Sequence, residues 1–390
     1  MKCSDTRVIL AKRQAGLSLI EVMVAMAIGV ILMLGVTQIF SASRAAFSSN
    51  EGLARIQENS RFAMEFLRQD MRMAGNLGCL NELGYDGNIY NHLLPAAGPP
   101  TAAHWPYRID MPVEVYEYQN TGPGVTIALS EARTTPAAGS WSPALPAALA
   151  GNALDNSDVI VVRYLSADFA RLTNIVAAGG SEMFAVNPAD AWYMQPVGGI
   201  YGITDCKKVT LVQVNAGGAT NLGSGINLRA WDARESDYSP FSVVHRYRFV
   251  AYFVGRGAGG EPALMRRELA PNGALGPAEE MVPGVESIQV MLGVNLSLRN
   301  RLVGDRPDAY MTAAQVQNGT GAWAPSTPAQ RWASVVNFRV GMLMRNARPG
   351  AADTPVNLPR IADTVVSPPQ DGRMRQTYEV QIAIRNRVRD

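Results

Sequence analysis

Histidine and cysteine are scarce in this chain: its 390 residues carry three of each. His92, His104 and His245 are scattered, and no Cys/His spacing matches a zinc site. No G-x-S-x-G elbow is present to mark a nucleophilic serine. Beyond the first 16 residues the only lysines are Lys207 and Lys208, so no basic stripe is available for a nucleic-acid backbone. The net charge of +2 misleads, because Lys2, Arg7, Lys12 and Arg13, against Asp5 alone, supply more than all of it. Proline is absent before Pro95, and between Leu17 and Phe40 the only charged residue is Glu21.

An apolar content of 47% with 17% charged residues belongs to a folded body, and 390 residues can bury one large core or two smaller ones. As a helix, Leu17 to Phe40 would reach roughly 36 Å, enough to cross a bilayer core of about 30 Å. A carboxylate within such a span costs on the order of 2.5–3.5 kcal/mol, so Glu21 wants a partner and a function. A secretory signal peptide is cut after its apolar core. Here the one plausible cut, at Gly16, lies before the core, and the helix would stay in the mature chain. A plain signal anchor would share the apolar run but leave Gly16 and Glu21 without a role.

From Ser41 to Gly75 the helix is expected to continue in amphipathic form. Leu53, Ile56, Ala63, Leu67, Met71 and Ala74 recur at spacings near three, four and seven and mark one apolar face. Glu51–Arg55, Glu58–Arg61 and Glu65–Arg68 populate the other side. Gly75-Asn76-Leu77-Gly78 predicts the stop, since glycine and asparagine tolerate the left-handed C-cap. Beyond it, strands are predicted at Val113–Gln119, Val159–Leu165, Val209–Val214, Val243–Val254, Ala263–Leu269, Val285–Val294, Val335–Met344 and Thr377–Ile384. Loops at Pro95–Pro106, Thr134–Asn156, Gly304–Pro328 and Ala347–Gln370 are long enough to be binding elements or partly disordered. No internal repeat is evident. The expected fold class is α+β, a long N-terminal helix packed on a large antiparallel β-rich head.

Gly255-Arg256-Gly257-Ala258-Gly259-Gly260 satisfies G-x-G-x-x-G, yet Glu261-Pro262 leads into another strand rather than a helix. A hairpin loop is the better reading than a dinucleotide site. Asp305 and Asp308 flank Arg306-Pro307 without calcium-loop spacing. Trp141, Trp192, Trp231 and Trp323, in or near loops, read as core or loop anchors rather than a glycan platform. No cofactor or catalytic set is expected.

The basic leader, Gly16, an apolar Leu17 and Glu21 at the fifth position after the glycine resemble the start of a type IV prepilin, with Leu17 where that family usually has Phe. The run Arg61-Phe62-Ala63-Met64-Glu65-Phe66-Leu67-Arg68-Gln69-Asp70-Met71-Arg72-Met73-Ala74-Gly75-Asn76-Leu77-Gly78-Cys79 resembles the helix-to-head junction of the PilW family, large minor pilins of Gram-negative bacteria. So do Gly284-Val285-Glu286-Ser287-Ile288-Gln289-Val290, Met342-Leu343-Met344-Arg345 and Ile384-Arg385-Asn386-Arg387. The resemblance implies a leader, 1–16, cut by a prepilin peptidase at Gly16–Leu17, and N-methylation of Leu17. It implies a transmembrane and polymerisation helix over 17–42, an amphipathic helix over 43–78, and a head over 79–390. That head would lie in the periplasm while the helix sits in the inner membrane, and on the cell surface after assembly. The implied role is that of a minor pilin, not an enzyme. It would prime type IV pilus assembly at the inner-membrane platform and sit near the tip with other minor pilins, the major pilin and a PilY-type adhesin, serving adhesion and twitching motility. Glu21 would meet a neighbouring subunit's N-terminal amine. A minor pseudopilin of a type II secretion system is the alternative. Cys3 would leave with the leader. Cys79 and Cys206 would then form an even pair in an oxidising compartment, most simply a disulfide, with two buried thiols as the other reading.

Overall fold

Strands rich in Val, Ile, Phe and Tyr, buried on both faces, make the centre of this protein. The computed structural model describes residues 16, 18–80, 88–95, 101–178, 181–187, 189–190, 198–214, 221–223, 238–239, 241–296, 306–319, 327–347 and 358–385. Helix α1 (Leu19–Met73) comes first. The chain divides into one unit up to Glu51 and a second over Gly52–Asp390.

In the second unit, β1 (Val113–Tyr118), β2 (Val159–Ala178), β3 (Ile200–Thr204), β4 (Val209–Gln213) and β5 (Val243–Arg256) form the middle of an eleven-stranded sheet, in the order β4–β3–β5–β2–β1. β6 (Pro262–Leu269) pairs with the second half of β5, and β7 (Leu275–Pro283) with β6. β8 (Val285–Val294), β9 (Val335–Arg345) and β10 (Arg375–Ala383) join Ala309–Met311 in a four-stranded antiparallel sheet with β8 and β9 inside.

The double burial of β2 and β5 follows from period two. Ile160, Val162, Tyr164, Val250, Tyr252 and Val254 join one core, while Val159, Val161, Leu165, Phe249, Ala251 and Phe253 join the other. The first core also takes the helix face Ile56, Ala63, Leu67, Met71 and Ala74 and the inner residues of β8 and β9. Each fully buried aliphatic side chain contributes on the order of 1.5–3 kcal/mol. Leu53, expected on that face, is only half-buried; Gly52, Ser60 and Asp70 complete it instead. Between the sheets, fully buried Asp158 accepts hydrogen bonds from the Tyr118 N–H at 2.9 Å and the Val290 N–H at 2.8 Å. Burial, then the neighbouring Glu117 charge, pushes its carboxyl well above the ordinary range.

The eight predicted strands are all present, within a few residues at their ends except β2, which runs on to Ala178. Of the strands that were not predicted, two were hidden by composition. β3 contains Gly202, where a Cβ would stand 2.5 Å from the Leu165 side chain, so the residue that breaks the strand pattern is what lets the chains approach. β7 carries Pro277, Pro283, Glu279 and Glu280, as an edge strand can. The long loops are packed within the described residues. Thr134–Asn156 buries Trp141, Leu145 and Leu149 and holds a short helix, Ala147–Ala150. Gly304–Pro328 holds a helix over Ala313–Asn318, and Ala347–Gln370 holds the paired strands Arg360–Ile361 and Thr364–Ser367. Residues 96–100, 304–305, 320–326 and 348–357 of the predicted loops lie outside the described residues.

Candidate functional site

In the first unit, Gly16 is exposed and Leu17 lies outside the described residues, as does the leader before Gly16. The Ser18 carbonyl accepts from the Glu21 N–H at 3.0 Å and the Val22 N–H at 3.2 Å, which closes the first turn of α1. Glu21 sits exposed in that turn, favourably placed for the helix dipole. Among the described residues its carboxylate has no ion pair. The apolar window of α1 has a mean hydropathy of 2.6 and none of it is buried. Leu19, Ile31, Met33 and Ile39 are among its exposed side chains. A helix that is apolar all round needs lipid or other helices about it.

In the second unit, the end of α1 is tied to the head by polar bonds that the sequence did not announce. Asp70, buried on the helix's apolar face, accepts hydrogen bonds from the Tyr164 hydroxyl at 2.6 Å and the Tyr252 hydroxyl at 2.5 Å. Burial, then the Asp70 charge and its hydrogen bonds, pushes both phenols above their ordinary value. An acid on an apolar stripe was the only sequence signal; its partners lie 94 and 182 residues away. Gly75, at φ 72°, then ends the helix and donates its N–H to the Arg163 carbonyl at 2.9 Å. The Asn76 side chain donates to the Leu165 carbonyl at 2.7 Å, and the Leu165 N–H returns to the Asn76 carbonyl at 2.8 Å. Three residues later Cys79 is joined to Cys206 in a disulfide whose Cα atoms are 4.7 Å apart.

A ring of alternating charges ties β8, β9 and β10 together. Asp371 pairs with Arg375 at 2.7 Å, Arg375 with Glu286 at 2.7 Å and Glu286 with Arg345 at 3.2 Å. Arg345 pairs with Glu261, Glu261 with Arg373 at 3.1 Å, and Arg373 with Asp371 at 3.4 Å, which closes the circle. Glu286 and Arg345, from two of the segments that carried the resemblance, thus meet in the interior. Burial works against the Asp371 carboxylate. The hydrogen bonds from Arg375 and the Arg373 N–H, with both guanidinium charges, outweigh it and hold that carboxyl below its ordinary range. The ring borders a polar cleft of about 360 Å³ that Arg133 and Arg256 also line.

The remaining sequence candidates are dispersed. Gly255–Gly260 closes the β5–β6 hairpin, with the Gly257 N–H on the Glu261 carbonyl at 2.9 Å. His245 is buried with its Nδ1 2.8 Å from the Ser166 carbonyl, and burial lowers its pKa. His104 caps the turn at Thr101 and His92 is buried in the head. Among the described residues no three His, Cys, Asp or Glu side chains converge on a metal-sized site. Asp308 caps a turn through the Leu296 N–H, and Trp141 is a core anchor bonded to the Ser157 carbonyl. Asp305, Trp192, Trp231 and Trp323 lie outside the described residues.

Comparison with known families covers both ends of the chain. Residues 251–386 match the family model of the type IV pilus-assembly protein W, PilW, and residues 11–37 match that of the prokaryotic N-terminal methylation motif. No curated protein and no solved structure matches. The first match takes in β6 to β10 and the whole charge ring; the second takes in Gly16 and Glu21. The family is a structural rather than a catalytic one. The chain is thus similar to type IV pilus-assembly protein W across its last third and to the N-terminal methylation motif at its start.

Proposed function

We propose that this protein is a minor pilin seated near the tip of the type IV pilus, where it helps prime assembly with other minor pilins and displays a PilY-type adhesin. Residues 1–16 would be removed by a prepilin peptidase and Leu17 N-methylated. The helix over 17–42 would hold the subunit in the inner membrane and later in the filament, with 43–78 serving the head, 79–390, in the periplasm. The platform would hand it to the major pilin below. The observation that carries this reading is the exposed apolar helix with Glu21 alone on it. A neighbouring subunit's amine at about 4 Å would attract Glu21 by roughly 4 kcal/mol at an effective dielectric near 20, before desolvation is subtracted. That pairing can set the vertical register of subunits leaving the membrane. The PilW match supports the pilus rather than a secretion system.

The test is Glu21→Ala in cells, followed in sheared pili and in membranes. Leader cleavage is expected to persist, while recovery in pili falls at least about tenfold, the equivalent of 1.4 kcal/mol. Wild-type recovery would remove the register role. Mass spectrometry of the mature protein should find N-methylated Leu17 at its start; a chain still beginning at Met1 would refute the pilin reading.

A further inference from the structure

Charges around the polar cleft are matched one to one, with one arginine and one acid left over. The closed ring is neutral, with Arg345, Arg373 and Arg375 against Glu261, Glu286 and Asp371. Arg133 is buried and pairs with Asp155 at 2.5 Å. Arg256 stands at the end of β5, opposite Pro262, and is exposed. Its Nη2 donates to the Arg133 carbonyl, and among the described residues no carboxylate pairs with it. Nε and Nη1 of Arg256 are thus left without an acceptor.

Arg345 offers a second donor on the same cleft. Its side chain is 5% exposed, and its two Nη atoms donate to Glu286 and Glu261. Its buried Nε–H has no acceptor within the protein. A buried donor on a charged group is costly to leave in that state, so this N–H calls for an acceptor that the chain itself does not provide.

The guanidinium fork suits a carboxylate or a phosphate. Here one arginine lacks a counter-charge, which matches a single negative charge. Glu131, exposed on the same cleft and without an ion pair among the described residues, opposes a second. A cleft of about 360 Å³ lies in the range of small-molecule sites and exceeds what a bare carboxylate fills. We propose that it binds a monocarboxylate carried on a larger body, with Arg256 as the counter-charge and the Arg345 Nε–H as second donor. The same chemistry is presented by a small acid free in solution and by an aspartate or glutamate side chain of a neighbouring subunit.

The test uses the full chain in detergent, with N-acetylglycine as the probe. This acid should raise the melting temperature saturably, beyond sodium chloride of equal ionic strength, and its neutral amide should not. Arg256→Gln keeps a donor for the Arg133 carbonyl and should melt with the wild type when no acid is added. It should bind the probe about tenfold more weakly, as for one lost charge-assisted bond. Glu131→Gln should bind it more tightly. Phenylglyoxal, which modifies free guanidinium groups, should label Arg256 in the isolated wild type, and N-acetylglycine should block that labelling. This arm decides the question even if Arg256→Gln does not fold. Protection of Arg256 in sheared pili without added acid would assign the carboxylate to a neighbouring subunit, whereas labelling there would assign it to a free acid. No saturable shift, an equal shift in Arg256→Gln, or a larger one with inorganic phosphate would overturn the proposal. A chain missing from pili would sink the pilin reading and leave the isolated-chain result standing.

Discussion

Leu32 and Leu67 occupy the same helix and differ in everything around them: Leu32 is 64% exposed, whereas Leu67 is fully buried. Around Leu32 the helix is apolar on every side. Around Leu67 it is apolar on one stripe, with Arg61, Glu65 and Arg68 turned to solvent. The stripe meets two sheets, and the all-round surface meets nothing in its own unit. Helix formation is therefore common to both stretches, while what each contributes to stability depends on its surroundings. The head-bound stretch can be tested in the isolated protein, whereas the apolar stretch has no packing there to lose.

That contrast can be broken at several points. The largest effect is expected at the end of the head-bound stretch. Cys79→Ser opens a loop spanning 127 residues, for which the chain-entropy model assigns on the order of 4–5 kcal/mol, and urea unfolding of protein expressed in an oxidising compartment should show a loss approaching it. Free thiols on both cysteines of that protein would contradict the bond. Leu67→Ala is expected to cost about 2–5 kcal/mol of head stability through its cavity, while Leu32→Ala, with no packing to lose, should leave head unfolding within about 0.5 kcal/mol. Equal costs at the two sites would erase the comparison.

Asp70→Ala should cost about 2–3 kcal/mol by removing the acceptor of two buried tyrosine hydroxyls. The same change in a Tyr164→Phe, Tyr252→Phe background should cost clearly less, a coupling that a double-mutant cycle reads directly. The smallest effect concerns acid. Asp371 is held below its ordinary pKa of 3.8, so its share of stability is complete above about pH 4 and is lost as pH falls below that. Asp371→Asn should flatten the acid limb of the stability profile there and leave the profile near pH 7 parallel to wild type; an unchanged acid limb would show that the ring's carboxylate is not sensed.

The long helix, its stop at Gly75, the eight main strands and the Cys79–Cys206 pair were legible in the sequence, because each rests on local signals: an apolar period, a left-handed glycine, strand alternation, cysteine count. Gly16, Leu17 and Glu21 were read from a linear motif, and residues 11–37 match the N-terminal methylation motif. Other features needed the tertiary structure. Asp70 finds Tyr164 and Tyr252, and Glu286 finds Arg345, only after strands far apart in the chain pair, and no spacing in the sequence encodes those meetings. The free charge of Arg256 was equally invisible, since whether an arginine is neutralised depends on which carboxylates come to lie beside it. Local backbone preference and periodicity are written residue by residue; the choice of partners is made by burial of the whole chain.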